Sequence, residues 1–194
     1  MYLNKNQKIL WNFLQSRRSY SVRNLIAPPP DNATITSLLK AAVRVPDHGK
    51  LEPWRFIVYD KNSMNNLSQC IVKYGNRAGI AEEKLVKHKE LYENSPLMIT
   101  VVSSPKDFDR IPLVEQELSC GAVCLSLLNA ALASGWGATW LTGWMAHDRL
   151  FQETVLGLGT KEFVAGFIHI GTPIQKSPER PRPDLEKLVS WVVG

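Results

Sequence analysis

The residues with chemistry to offer fall in three short runs. Arg17-Arg18-Ser19 sets two guanidiniums beside a hydroxyl. The planar fork of an arginine donates two parallel hydrogen bonds, which suits a phosphate. The same pair at a helix C-terminus also complements the helix dipole. The second run, Pro46-Asp47-His48, opens the stretch "PDHGKLEPWRF" (46–56). Asp47 is placed to orient the His48 imidazole, and His48 to donate to a ligand; an exposed turn accounts for the same residues. Trp54 and Phe56 are costly to leave in water, so the stretch reads as an ordered loop feeding a strand, a common seat for ligands. The third run, "GWGATWLTG" (135–143), brings backbone amides beside aromatic rings. Glycine lets backbone approach a flat ligand, and tryptophan packs on its plane. A tight turn between a helix and a strand explains it equally.

Other chemistries lack their motifs. The chain has no G-x-G-x-x-G after a strand, no phosphate loop, no H-E-x-x-H and no G-x-S-x-G. Its four histidines are scattered. His88 lies on a charged helix face and is expected in solvent, His147 in a loop, and His169 in a strand as a core residue. No nucleophile, base and orienter assemble by spacing, so an enzyme of this kind leaves the reaction to a cofactor. Cys70, Cys120 and Cys124 are an odd set, pointing to reduced thiols and a cytoplasmic setting. Cys120 and Cys124 sit four apart without a third ligand of matching spacing. They are assigned to core packing, and no metal site is expected.

The elements that must hold these runs follow from periodicity. Ile9, Leu10, Phe13 and Leu14 form one stripe of a helix over 6–17. Asp31 is the expected N-cap of a second helix carrying Ile35, Leu38, Leu39, Ala42 and Val43, ended by Pro46. Strands are predicted at 54–60, 97–104 and 162–173, with a short one in 135–144. Two amphipathic helices flank "YGNRAG" between 62 and 93. A loop is predicted from Pro105 to Val114, a long close-packed helix over 115–134, and a short helix over 148–156. Four or five strands alternating loosely with helices give an α+β or α/β layered domain spanning 1–194.

Composition agrees with a chain that buries a core: 194 residues, 44% of them apolar. No continuous apolar run of about 18 residues suggests a membrane span. The N-terminal run lacks the pattern of a signal peptide. The net charge of +5 is dispersed and fits a small anionic ligand better than nucleic acid.

Taken together and in order, four segments resemble the nitroreductase family of FMN enzymes, nearest to a short bacterial subgroup. They are R-R-S after the first helix, A-x-R-x-P-D-H-x-x-x-x-P-W-x-F before the first strand, "EQELSCGAVCLSLLNAALASGWGATW", and G-F-I-H-I-G-T-P. The resemblance spans roughly residues 10 to 173. It implies a mixed central sheet flanked by helices, in an intertwined homodimer with FMN in two interface clefts. By resemblance, Arg17, Arg18 and Ser19 hold the phosphate and ribityl end. Arg44 and His48 reach the flavin from the partner subunit. Trp140, Leu141 and Thr142 close over it, and Ala130, Ala131, Leu132, Ala133, Ser134 and Gly135 match the NAD(P)H stretch.

The resemblance also implies the activity. NADH or NADPH reduces FMN, which then reduces a small acceptor such as a nitroaromatic or quinone, in ping-pong fashion and without a dedicated catalytic side chain. A non-catalytic FMN carrier or sensor is the alternative. Two positions depart from the family. Leu141 stands where close relatives carry arginine, removing a charge near the cofactor. Glu52 stands where many have glutamine and is expected to point to solvent, with Lys50 the nearer positive charge.

Overall fold

The computed structural model describes residues 4–107 and 109–194. Phe108, in the loop predicted from Pro105, and the first three residues of the N-terminal run lie outside the described residues.

Helix α1 (Lys5–Ser16) starts in a capping box, with Asn4 Oδ1 accepting the Gln7 amide and Gln7 Oε1 accepting that of Asn4. Helix α2 (Asn32–Ala42) has Asp31 as its N-cap, as expected. It stops at Ala42, four residues short of the proline assigned as its breaker. The remaining helices are α3 (Lys61–Arg77), α4 (Glu82–Asn94), α5 (Leu113–Ala133) and α6 (Arg149–Thr154). The strands are β1 (Leu25–Ile26), β2 (Trp54–Tyr59), β3 (Leu97–Ser103), β4 (Gly137–Leu141) and β5 (Phe163–Pro173).

The class is α+β, but the sheet is not mixed. All four pairings are antiparallel: β2 with β3, and β3, β4 and β1 each with β5. No described strand pair runs parallel, so any parallel member of the sheet must come from outside this set. β2 pairs only with β3 and is an edge among the described residues.

β3 is buried on both faces, which explains its unbroken apolar sequence. Alternation divides its side chains between two cores. Leu97, Ile99 and Val101 pack with Val123, Cys124, Leu127 and Ala131 of α5 and with Ile35 and Leu38 of α2. Met98 and Val102 face Met64, Leu67 and Ile71 of α3, Tyr92 of α4 and Phe151 of α6. α5 is the one described helix long and apolar enough to cross a membrane. Here its buried stripe of Val123, Cys124, Leu127 and Ala131 packs on the sheet instead. Removing a side chain such as Leu127 from this core costs about 2–5 kcal/mol.

The α1 stripe is not used in this way. Ile9, Leu10 and Leu14 all stay exposed, and α1 has no buried residue. A ridge of Leu113, Val114, Leu118 and Leu125 on α5 is likewise exposed, as is the tail, with Trp191 at 85% and Val192 at 98% exposure. The tail therefore does not fold back on its own core.

Candidate cofactor site

Where α1 ends, the Arg17 amide donates to Phe13 O and the chain turns out of the helix. The turn leaves Arg17 and Arg18 at the rim of a cavity of about 590 Å³. Phe13, Tyr20, Leu132, Gly135 and Trp136 complete one side, and Lys176, Ser177 and Glu179 the other. Arg17 Nη2 donates to Ser19 Oγ at 3.2 Å, while its Nε is buried without a partner. Burial, then the neighbouring charges of Arg182 and Arg18, hold the Arg17 pKa below its ordinary value. An incoming anion would relieve both the unmet donor and the repulsion among the cations.

The chain segment after β5 forms the cavity's second wall. Arg18 Nε donates to Pro178 O at 3.0 Å, and Ser177 Oγ donates to Ser19 O at 2.7 Å. Lys176 and Arg182, about 160 residues from the arginine pair, thus join the same positive cluster, with Glu179 bridging to Arg182 at 2.7 Å. Sequence reading missed these residues, because nothing in a basic tail marks which end of the molecule it returns to.

The Pro46–Pro53 loop is built differently from the expectation. Asp47 does not orient His48. Its carboxylate accepts the amides of Leu51 (3.2 Å) and Glu52 (2.9 Å). Those bonds hold a turn in which Lys50 and Glu52 both have positive φ, 55° and 49°, a conformation costly outside glycine. The partner of His48 is Glu115 at the start of α5, Nδ1 to Oε2 at 2.7 Å. Helix α5 also bolts the loop at its base. Ser119 Oγ donates to Pro46 O and accepts from Trp54 Nε1, and Cys120 Sγ donates to Pro53 O. Cys120 and Cys124 are buried, and desolvation pushes the Cys124 thiol up to about 12, so both are packing groups. Arg44, His48, Lys50 and Glu52 are exposed.

The expected site residues are thus not all brought together. Arg17, Arg18, Leu132 and Gly135 share the cavity, and Ser19 is bonded to its walls. His48 lines a separate groove with Glu115, Leu118 and Ser119. Trp140 and Leu141 end β4, and Thr142 follows, exposed. Within 130–135, Ala130 and Ala133 line the groove beside α1, Ser134 is exposed, and Ala131 is buried in the core. The Ala131 side chain therefore cannot reach a ligand. Of the other histidines, His88 is half-buried rather than solvated, and desolvation lowers its pKa. His169 is the expected core residue: burial lowers its pKa to about 3, and Nδ1 lies 2.8 Å from Ser95 Oγ.

The Nitroreductase family matches residues 14–172. The chain is 30% identical over 164 residues to the Escherichia coli (strain K12) protein named Putative NAD(P)H nitroreductase YdjA, covering 84% of this chain and 88% of that one. Among solved structures, a nitroreductase-like family protein from Bacillus cereus superposes with a TM-score of 0.79 at 20% identity, covering 100% of this chain and 98% of that one. The FMN and NADPH-dependent nitroreductase NfnB from sphigopyxis sp. strain HMH superposes with a TM-score of 0.72 at 19% identity, covering 93% and 97%.

Proposed function

The chain belongs to the nitroreductase family, and on that premise we propose that it is an FMN-dependent NAD(P)H oxidoreductase working as a homodimer. The observation that carries the cofactor is the buried, unpartnered Arg17 Nε beside Arg18 and Lys176 in one cavity. That donor set suits a phosphate monoester. Arg17 and Arg18 would bind it, Ser19 would hold the Arg17 fork, and Lys176 would add charge from the tail. When bound, FMN supplies the chemistry: it exchanges two electrons with NAD(P)H and with an acceptor, such as a nitroaromatic or quinone, in separate half-reactions. Leu132 and Gly135 sit at the carbonyl end of α5, the negative end of its dipole. They would suit the uncharged nicotinamide better than the pyrophosphate of NAD(P)H.

A second copy of the chain supplies what one copy lacks. Arg44 and His48 would approach the flavin of the partner, which accounts for their separation from the Arg17 cavity. The dimer would cover the α1 stripe, the α5 ridge and the tail, apolar surface too extensive for a lone chain in water. Obligate interfaces of this kind bury more than about 2,000 Å².

The cofactor is tested by heating purified protein and identifying the released flavin by chromatography. One FMN per chain is expected. FAD, or no flavin after reconstitution, would refute the proposal.

A further inference from the structure

The segment after β5 brings both signs of charge to the Arg17 cavity. Residues 176–182, "KSPERPR", lie in neither helix nor strand. Pro178 and Pro181 hold φ near about −65°, and an extended chain of that kind turns once in every three residues. Lys176, Glu179 and Arg182 are spaced by three, and they come to one side. Lys176 and Glu179 line the cavity, and Glu179 Oε1 lies 2.7 Å from Arg182 Nη2. The segment is tied to the end of α1 at two points. Arg18 Nε donates to Pro178 O, and Ser177 Oγ donates to Ser19 O. Glu179 is therefore held beside Arg18 through the residues that precede it.

Glu179 is the one acidic side chain among the described residues that line this cavity. For a site that takes an anion it has the wrong sign. Packing does not account for it, since the side chain is 62% exposed. The Arg180 amide donates to Oε1 at 3.0 Å. That bond first, then the charges of Arg182 and Arg18, hold the carboxyl below its ordinary range, so it is ionised at neutral pH. We propose that Glu179 is a built-in counter-anion of the phosphate site, which pairs with the Arg18 and Arg182 cations and must give them up to an incoming phosphate. Its exposure lets the displaced carboxylate turn into water. Like-charge repulsion keeps carboxylate and phosphate from sharing one place beside Arg182. Glu179 thus lowers the affinity for the phosphate end of a ligand without touching its ring. This rests on the FMN site proposed above, and it gives the tail an opposing role beside that of Lys176.

Titration of the apoprotein with FMN, and with riboflavin, which lacks the phosphate, tests it. Glu179→Gln keeps the shape of the side chain and removes its charge. The FMN Kd should fall about three- to fivefold at low ionic strength, the scale of an exposed ion pair, and the gain should shrink as salt is added. The riboflavin Kd should not change. Asp184→Asn removes the same charge from the same tail, where the carboxylate lies 3.5 Å from Lys187, and should leave the FMN Kd as it is. If wild type binds FMN and Glu179→Gln binds it equally or less well, the counter-anion is wrong and the cofactor assignment stands. Equal tightening of riboflavin, or an equal gain from Asp184→Asn, would also overturn it, since the carboxylate would then act other than at the phosphate. A wild-type apoprotein that binds neither flavin would instead sink the cofactor assignment, and the counter-anion with it.

Discussion

Replacing Glu162 with glutamine should destabilise the protein at neutral pH and become nearly silent in acid. Glu162 directly precedes β5. Arg55 on β2 grips it with two bonds, Nε to Oε1 and Nη2 to Oε2, both 2.7 Å. The Gly159 amide donates to Oε2 at 2.9 Å, and Arg149 Nη1 donates to the Glu162 carbonyl at 2.7 Å. The Arg55 bonds first, then the Gly159 amide, lower the carboxyl from 4.5 to about 2. At about 1.36 kcal/mol per pH unit that drop sets an upper limit of roughly 3 kcal/mol. The Arg55 side chain is 39% exposed, so solvent screens the pair, and about 2 kcal/mol is the realistic share. Because the folded pKa is depressed, this stability is fully present above about pH 4.5 and is lost as pH falls toward about 2. Urea unfolding at fixed protein concentration should therefore separate wild type from Glu162→Gln by about 2 kcal/mol at pH 7, or about 4–8 °C in Tm. The gap should shrink by more than half at pH 3. An equal gap at both pH values, or none at pH 7, would refute the reasoning.

Further predictions concern the cofactor and the dimer. Arg18→Ala removes charge-assisted bonds worth about 1.5–3 kcal/mol each, so the FMN Kd should rise about ten- to a hundredfold in a fluorescence titration; Leu141→Arg should lower it. Leu118→Asp places a charge on the exposed α5 ridge and should shift sedimentation from dimer to monomer, with flavin lost in parallel. Mixing an Arg18→Ala chain with a His48→Ala chain should restore one intact cleft per heterodimer, seen as recovered FMN binding; a dimer without recovery would put both contacts in one subunit.

Some of this was legible in the sequence and some was not, for physical reasons. β2, β3 and β5 announced themselves through β-branched and aromatic runs, each placed to within one residue of its observed ends. The α5 content of Ala, Ser, Gly and Cys marks a close-packed central helix, and Asp31 marks the start of α2. The two-residue β1 was invisible, since its register depends on Pro173 and Thr172 far along the chain. Arg17 and Arg18 were singled out by residue type, but their neighbours Lys176 and Arg182 meet them only through tertiary folding. Asp47 and His48 are adjacent in sequence and suggested a pair. The backbone turn took the carboxylate instead, and the imidazole went to Glu115, 67 positions away. Gly166 follows the same rule: a strand glycine hints at a close approach, but only the β4–β5 pairing brings the Trp140 indole into the space its Cβ would need.

The most direct measurement of the central claim is an anaerobic titration of the purified, FMN-reconstituted protein with NADH and with NADPH, followed by flavin absorbance. The protein should be yellow, its flavin band should bleach with about one equivalent of at least one nucleotide per FMN, and the band should recover when a quinone or nitroaromatic is added. Bound flavin that stays oxidised with both nucleotides would contradict the oxidoreductase assignment and leave a flavin carrier. A colourless protein that takes up no flavin would contradict the cofactor site itself.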